Sequence, residues 1–404
     1  MRACHTSPGT SRKSGAKYAR GMSRRSLHTP APAPATLRAR LDKARTAAAD
    51  AGTDALLISP GSDLKYLLGQ AGGSFERLTT LVVPADDAPP ALVLPKLEAP
   101  GFDDVPLDDL GVEVVTWVDG QDPYAIVGEL AGRKGKPGRV AVSDAMIALH
   151  VLGLRGALSA EQVLAGPVLR QLRMRKDAEE VAALRAAAEA IDRVHAQVPP
   201  LLRAGRSEAE VGEDLEQLIV EEGHLAADFV IVGSGPNGAS PHHDVSSRVL
   251  QEGDVVVVDI GGPLPNGYNS DSTRTYSLGE PAEPDVRDTY AVLQAAQRAA
   301  VDAVRPGATA AEIDAAARKP ITEAGFGEHF IHRTGHGIGL DVHEEPYIQS
   351  DNDLELEPGM AFSVEPGIYH RGRWGARIED IVVVTEDGVE RLNRRPHELL
   401  VVEP

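Results

Sequence analysis

Residues 201–211, LLRAGRSEAEV, and residues 303–313, AVRPGATAAEI, are two copies of one pattern set 102 residues apart. Ser207 and Thr309 each open a Ser/Thr-x-x-Glu capping box, which marks the first turn of a helix. A glycine 16 residues further on closes each predicted helix, at Gly223 and Gly325. Two unrelated helix starts would also carry capping boxes, but the co-aligned glycines favour a duplication. We therefore predict a repeated helix–helix–sheet unit with pseudo-twofold symmetry and one site between its halves.

The rest of the chain is organised around this repeat. A further helix is expected before each copy, over residues 177–198 and 284–304. The segment VLRQLRMRKDAEEVAALRAAAEA begins a long helix at residue 168 and marks a domain boundary. Before it, helical stretches alternate with the strand-like runs ALLIS, TTLVVP, ALVLP, VEVVTWV and RVAVS, starting with a helix capped by Thr36. The predicted domains are a compact α/β unit over 37–167 and a second domain over 168–404.

Residues 1–36 differ in composition from both predicted domains. They contain seven basic residues, no acidic residue and the stretch TPAPAPAT. No apolar segment follows the basic residues, so a secretory signal is excluded. We interpret this segment as a disordered basic, proline-rich extension, with Met22 as a possible natural start and a targeting role as the alternative.

Composition narrows the classes of function. The net charge of −19 argues against nucleic acid or an anionic membrane as a general partner, and no apolar run is long enough to span a bilayer. The single cysteine, Cys4, offers neither a disulfide nor a thiolate metal site. These features fit a cytoplasmic protein.

Five candidate metal ligands lie in short glycine-rich or strand-like contexts: VVDIG, YNSDSTRTY, HRTGHGIGLDVHE, SVEPGIY and ARIED. Four carboxylates with one neutral imidazole balance the charge of two divalent cations, so a dinuclear hydrolase is the first hypothesis. A single carboxylate is more often a solvated surface group. The glycine-rich or strand-like context that all five residues share is what favours a metal site. The five ligands are Asp259, Asp271, His336, Glu365 and Glu379.

The candidates divide between the two predicted halves. A tight loop joins the strands that carry Asp259 and Asp271, so a hairpin would bring these two carboxylates together. His332, His336 and His343 share one glycine-rich stretch, where backbone can approach a metal closely. A single buried histidine is usually structural, but three at this spacing favour a functional role. His242 is a further candidate, with His243 expected to be its more exposed neighbour.

These motifs resemble, in order, those of the pita-bread metallopeptidases. SDSTRT, TGHGIGLDVHE and EPGIY are similar to the proline-specific branch, Xaa-Pro dipeptidase (prolidase) and aminopeptidase P. The resemblance covers about residues 37–404. It implies a mixed α/β (α+β) protein with a creatinase-type N-terminal α/β domain and a pseudo-twofold pita-bread catalytic domain. One departure is the loop that carries Pro263 and Pro265, which is one residue longer than usual.

The resemblance also implies roles for individual residues. Asp259 and Asp271 would bind one metal, with Glu379 shared, and Glu365 would take the proton of the attacking water. His242, His332 and His343 would bind substrate or handle protons, and Arg377 would support the site or contact the substrate carboxylate. Oxygen-rich ligation favours two Mn(II) ions, with Co(II) or Zn(II) as substitutes. The expected partner is a small peptide with proline at its second position, and similar proteins are homodimers.

Three classes of function remain open from the sequence. The first is an Xaa-Pro peptidase, for which the dipeptidase is preferred, and aminopeptidase P differs from it by accepting longer peptides. A creatinase-like amidinohydrolase works without metal, and retention of all five ligands argues against it. A non-catalytic pita-bread binding protein is the third alternative.

Overall fold

The computed structural model describes residues 31–73, 76–132, 135 and 137–404, so most of the expected extension lies outside the described residues. The first unit is a mixed sheet with helices on both faces. Its elements are α1 (Pro34–Asp50), β1 (Ala55–Ile58), α2 (Ser62–Leu68), β2 (Thr80–Pro84), β3 (Ala91–Pro95), a 3-10 helix (Lys96–Phe102), α3 (Leu107–Leu110), β4 (Glu113–Trp117), α4 (Pro123–Ala131), β5 (Arg139–Val142), α5 (Ala148–Ala157), β6 (Glu161–Leu164) and α6 (Gly166–Met174).

The six strands of this unit are ordered β4-β3-β2-β1-β5-β6. Pairs β1–β2 and β2–β3 are antiparallel, and the other pairs are parallel. Successive side chains of β1 point to opposite faces of the sheet and therefore belong to two hydrophobic clusters. Leu56 and Ile58 pack with α1, α2 and α6, whereas Leu57 packs with α4 and α5. The five strand-like runs are thus confirmed, and β6 was missed because its residues are only partly buried.

Two local predictions in this region are wrong. Helix α1 begins at Pro34 after Ala33, not after Thr36. Proline suits the first turn of a helix because the N–H groups there have no partner within the helix, so the missing N–H of proline costs no hydrogen bond. The expected boundary after residue 36 therefore falls inside α1.

The predicted long helix from residue 168 is also interrupted. Helix α6 ends at Met174, and a new helix starts after Asp177, whose carboxylate accepts the Glu180 N–H in a capping box. Val168 and Leu169 of α6 belong to the core of the first unit. We therefore propose that the two units meet at residues 175–177 rather than at 167.

The second unit contains two helical pairs and three sheets. No helix in the described ranges is both long and apolar enough to cross a membrane. The elements are α7 (Ala178–His195), α8 (Glu208–Glu221), β7 (Phe229–Ser234), β8 (Val255–Pro263), β9 (Asn269–Leu278), α9 (Val286–Ala303), α10 (Ala310–Glu323), β10 (Gly335–Gly337), β11 (Glu344–Ile348), β12 (Ala361–Val364), β13 (Gly367–His370), β14 (Trp374–Arg377), β15 (Asp380–Val384), β16 (Val389–Arg391), β17 (Leu400–Val402) and 3-10 helices at Pro199–Leu201, Gly235–Ala239 and Gly327–His329.

The sheets of this unit follow its two halves. Strands β17-β9-β8-β7 form one sheet, β11-β10-β12-β15-β16 form another, and β13-β14 form a separate ribbon. Helices α7 and α8 share a core with the first sheet, and α9 and α10 share a core with the second. Each helical pair thus covers the outer side of its own sheet.

The duplication predicted from the two capping boxes is confirmed. Ser207 and Thr309 are the N-caps of α8 and α10, and both capping boxes are formed. Each cap also makes an isolated antiparallel bridge, Ser207 with Val249 and Thr309 with Glu355. The same local hydrogen bonding therefore recurs in both halves.

Candidate metal centre

A cavity of about 1320 Å³ lies between the two halves of the second unit. All five predicted ligands line it, together with the predicted substrate residues His242, His332, His343 and Arg377. The sequence motifs are therefore brought to one place, although they come from five separate segments. Other lining residues include Glu216, Asp228, Phe229, Ile231, Asp244, Val245, Ile331, Arg333 and Gln349.

The ligand atoms converge closely enough for two ions. Asp259, Asp271 and Glu379 offer oxygen atoms that all lie within 4.8 Å of one another. His336, Glu365 and Glu379 form a second such group, and Glu379 belongs to both. A third group joins Asp271, His336 and His343. Two overlapping triads that share one carboxylate are the arrangement a pair of neighbouring cations requires.

Strand register explains this convergence. The predicted hairpin is formed by β8 and β9, in which Asp259 lies opposite Thr273. The equivalent pair in the second half is β12 and β15, and Glu365 directly follows β12 while Glu379 directly precedes β15. Glu365 and Glu379 therefore lie opposite each other in the hairpin of the second half, as Asp259 and Thr273 do in the hairpin of the first half. The two hairpins face each other between the two halves.

The imidazole of His336 is oriented for metal binding. Its Nδ1 lies 3.1 Å from the Gly337 carbonyl, which accepts, so Nδ1 carries the proton and Nε2 keeps its lone pair. That Nε2 faces Glu365 Oε1 at 3.2 Å and Asp271 Oδ2 at 3.6 Å. A cation bound between this nitrogen and the two carboxylates would interact favourably with all three groups.

The charges of the site support the same assignment. Burial, and then repulsion from the neighbouring carboxylates, raises the pKa of Asp271 and of Glu379 well above the ordinary range. The buried Asp259 Oδ1 has no hydrogen-bond partner within the described chain. An excess of buried carboxylates with an orphaned oxygen fits a site for two divalent cations, so the residues present suit the implied metals.

Arg377 is held by the metal-ligand cluster itself. Its Nη2 donates to Asp259, its Nε donates to Thr273 Oγ1 at 3.1 Å, and its Nη1 donates to the Tyr369 hydroxyl at 2.8 Å. It is almost fully buried. The geometry therefore favours the supporting role predicted for Arg377 and disfavours the alternative role as a contact for the substrate carboxylate.

His332 is linked to Arg377 through Tyr369. The His332 Nδ1–H donates to the Arg333 carbonyl at 2.6 Å, which leaves Nε2 to accept from the Tyr369 hydroxyl at 2.9 Å. Burial lowers the pKa of His332, so the ring is neutral near pH 7. His332 thus borders the cavity in one fixed tautomer.

His343 and His242 are less constrained. The ring of His343 meets that of His336 edge to face, with centroids 4.0 Å apart, and burial followed by His336 lowers its pKa to about 4. Both His343 and His242 are largely exposed to the cavity, as groups that meet substrate must be. The prediction for His243 is wrong: it is the less exposed neighbour, because its Nε2 lies 2.8 Å from the buried Glu208 carboxylate.

Several residues that shape the site were missed in the sequence. Thr273 and Tyr369 lie inside the quoted motifs SDSTRT and EPGIY but carry no metal-ligand signal of their own. Ser363 donates to Glu365 at 3.1 Å and accepts the His336 backbone N–H at 3.0 Å. Glu208 accepts from Ser234, Asn237, His243 and Ser246, and so fixes the loop that carries His242.

This fold and site define a metal-dependent hydrolase. The profile of metallopeptidase family M24 matches residues 182–386, and that of the Creatinase/Prolidase N-terminal domain matches residues 40–175. The chain belongs to metallopeptidase family M24.

Relatives agree with this assignment over nearly the whole chain. The probable dipeptidase PepE of Mycobacterium tuberculosis is 59% identical over 363 residues, which are 90% of this chain and 96% of that protein. The Xaa-Pro dipeptidase of Lactobacillus delbrueckii subsp. lactis is 35% identical over 368 residues, with 90% and 98% covered. The crystal structure of dipeptidase PepE from Mycobacterium ulcerans has a TM-score of 0.89 and 58% identity, and covers 93% of this chain and 100% of that one.

Proposed function

We propose that this protein is an Xaa-Pro dipeptidase that requires two divalent metal ions. The observation that carries the proposal is the pair of overlapping ligand triads, which share Glu379 at the wall of a cavity large enough for a dipeptide. Relatives named Xaa-Pro dipeptidase and dipeptidase PepE support the substrate class.

Asp259, Asp271 and Glu379 would hold one ion, and His336, Glu365 and Glu379 would hold the other. Asp271 also lies close to His336, so Asp271 and Glu379 are both near the ligands of each ion. When bound, the ions lower the pKa of a water molecule and polarise the scissile carbonyl. The donor set of oxygens with one nitrogen favours Mn(II), with Co(II) or Zn(II) as substitutes.

The protein supplies proton transfer and orientation. Glu365 stands at the cavity edge, where it takes the proton of the attacking water and passes it toward the leaving nitrogen. His332, held neutral with its Nε2 on Tyr369, would lie beside the reacting carbonyl, and His343 and His242 line the same cavity. Proline makes the scissile bond a tertiary amide without an N–H, so recognition depends on shape and on the ends of the substrate.

A dipeptide also presents a carboxylate close to the scissile bond. Two arginines line the cavity, and Arg377 is already engaged by Asp259. Arg333 forms no ion pair with any described residue, and its guanidinium lies 4.3 Å from the centre of the Tyr347 ring. We assign Arg333 as the group that binds the substrate carboxylate, which favours dipeptides over longer chains.

A peptide-length series tests the proposal. Initial rates on Ala-Pro and Ala-Pro-Ala are measured with Mn(II) and again after chelation. Hydrolysis of Ala-Pro that is lost with chelator and restored by Mn(II) is expected. Activity confined to the tripeptide would identify the protein as an aminopeptidase P instead. Full activity in chelator would support the creatinase-like alternative. A non-catalytic protein would hydrolyse neither peptide.

The protein's assembly and location are proposals of the same kind. We infer a homodimer in the cytoplasm, from the resemblance to dimeric members of the family and from the acidic, nearly cysteine-free composition. Light scattering at a defined protein concentration tests the dimer, and a monomer at micromolar concentration would contradict it.

A further inference from the structure

The loop between β10 and β11 brings His343 to the metal centre. Its ring packs edge to face against His336, a predicted ligand. Nothing in the described chain makes a hydrogen bond to the His343 side chain that would fix its direction. The position of this imidazole therefore depends on the backbone that carries it.

Carboxylates flank His343 on both sides of the loop, at Asp341 and Glu344. Arg173, from α6 of the first unit, donates through Nη2 to both of them, with 2.6 Å to Asp341 Oδ2. Its Nη1 donates to Asp63 Oδ1 of α2 at 2.7 Å. The side chain of Arg173 is only 11% exposed, so water screens these interactions weakly.

Other contacts hold the same loop from the first unit. Lys176, at the junction of the two units, has a side chain that is 1% exposed, and its Nζ donates to Glu344 Oε1 at 2.7 Å. Ser62 at the start of α2 donates to Asp341 Oδ1 and to the Leu340 carbonyl. A Cβ at Gly339 would lie 2.7 Å from Glu344 Oε1, so the backbone passes close to the anchored carboxylate. The loop is thus anchored on both sides of His343 by the first unit.

Arginine suits this task better than lysine. The planar guanidinium directs several N–H groups in fixed directions and contacts three carboxylates from two segments at once. An ammonium is a point charge and does not reproduce this geometry. Loss of the guanidinium would leave Asp63, Asp341 and Glu344 close together with less compensating charge, and their repulsion would move the loop.

We propose that Arg173 is a positioning residue that orients His343 for the reaction, so that the first unit takes part in catalysis through this contact. The inference rests on the proposed peptidase function and on the role of His343 in it. It gives the creatinase-type unit a task beyond that of a scaffold or a wall of the site.

A double-mutant cycle on the full-length, Mn(II)-loaded protein tests this inference. The variants are Arg173→Gln, Arg173→Lys and His343→Ala, and each arginine variant is also combined with His343→Ala. We expect Arg173→Gln to lower kcat on Ala-Pro about tenfold, because small displacements of catalytic groups have effects of this size or larger. In the His343→Ala background the same change should alter kcat less than twofold, since the group it positions is already absent. Arg173→Lys should be intermediate.

Metal content and thermal stability are measured on every variant. The control is Arg185→Gln, which removes two hydrogen bonds from an arginine to Glu390. Neither Arg185 nor Glu390 lines the cavity. This control variant should have a kcat within twofold of the wild-type value. Where Arg173→Gln does not fold, Arg173→Lys decides: a fall in kcat that disappears in the His343→Ala background supports the inference, and a wild-type kcat overturns it.

Two failures can be told apart. Full, additive losses from Arg173→Gln and His343→Ala would show that Arg173 acts without His343, and this would overturn the inference while leaving the peptidase function intact. A His343→Ala variant with wild-type kcat would remove the role of His343 from the proposed function, and the inference would fall with it.

Discussion

The Thr273 hydroxyl donates a hydrogen bond of 2.7 Å to Glu379 Oε2 and so joins the two halves of the duplicated unit at the metal centre. Thr273 Oγ1 also accepts a hydrogen bond from Arg377 Nε at 3.1 Å. Thr273 is fully buried and lies opposite Asp259 in the hairpin of the first half. One side chain outside the predicted ligand set therefore orients the carboxylate that both ions would share.

Replacement of Thr273 by valine should weaken metal binding. The change keeps the shape of the side chain but leaves Glu379 and Arg377 each without one hydrogen bond. Loss of a partner that orients a ligand typically lowers affinity about 10–100-fold. Calorimetric titration of the metal-free protein with Mn(II) measures it. Thr289→Val is the matched control, because Thr289 is equally buried and its hydroxyl has no partner among the described residues. Equal affinities for both variants would contradict the prediction.

Neutralising Glu379 should have opposite effects on the metal-free and the loaded protein. Since the folded-state pKa of Glu379 is raised, its ionisation at pH 7 opposes folding in the absence of cations. Glu379→Gln should raise the free energy of unfolding in chelator by about 1–2 kcal/mol, a few degrees in Tm. The variant should also lose most of the stabilisation that Mn(II) gives the wild type.

Thermal unfolding with Mn(II) and with chelator checks this expectation. Glu213→Gln, at an exposed position on α8, serves as the control and should change neither value. A lower Tm of Glu379→Gln in chelator would show that repulsion between the carboxylates is not the dominant effect.

Arg333→Gln should separate dipeptides from longer substrates. Removal of a charge-assisted hydrogen bond to the substrate carboxylate costs about 1.5–3 kcal/mol, so KM for Ala-Pro should rise roughly 10–100-fold. KM for Ala-Pro amide, which lacks that carboxylate, should change little, and Mn(II) affinity should stay as in the wild type. The exposed Arg371→Gln is the control. A parallel rise of KM for both peptides would assign Arg333 to another role.

His195 should make the fold sensitive to acid. It is fully buried, with Nε2 3.0 Å from the Ser272 carbonyl and Nδ1 3.1 Å from the Tyr276 hydroxyl, and burial lowers its pKa to about 3. Because the unfolded histidine titrates near 6.5, the unfolded state binds more protons below that pH. Stability from this group is therefore present above pH 6.5 and is lost as the pH falls toward 3.

Urea unfolding in chelator at pH 7 and pH 5 measures this effect. His195→Gln should reduce the loss of free energy between the two pH values by about 2 kcal/mol relative to the wild type. An unchanged pH dependence in the variant would show that His195 is not the group responsible.

The sequence predicted the features that depend on short segments. The capping boxes at Ser207 and Thr309 and the hairpin with Asp259 and Asp271 are local, and each needs only a few neighbouring residues. The motifs around His336, Glu365 and Glu379 were recognised by their resemblance to a family. The five segments were then brought to one cavity, as expected.

Features that depend on distant partners were not predicted. Arg173 lies in a basic run typical of a solvated helix face, and nothing nearby in the chain indicates that it meets Asp341 and Glu344. The break between α6 and α7 depends on Asp177 competing for backbone N–H groups inside a strongly helical sequence. Strand β17 pairs in parallel with β9 across more than a hundred residues of intervening chain.

The division of ligands between the hairpins has a mechanical consequence. Asp259 and Asp271 come from the first half, and His336, Glu365 and Glu379 come from the second, so an ion held by Asp259, Asp271 and Glu379 would cross-link the two halves. Separation of the halves and release of that ion would then be a single equilibrium. Any solute that favours separation of the halves would lower metal affinity by the same free energy. The metal content at a fixed metal concentration would then measure the free energy that holds the two halves together.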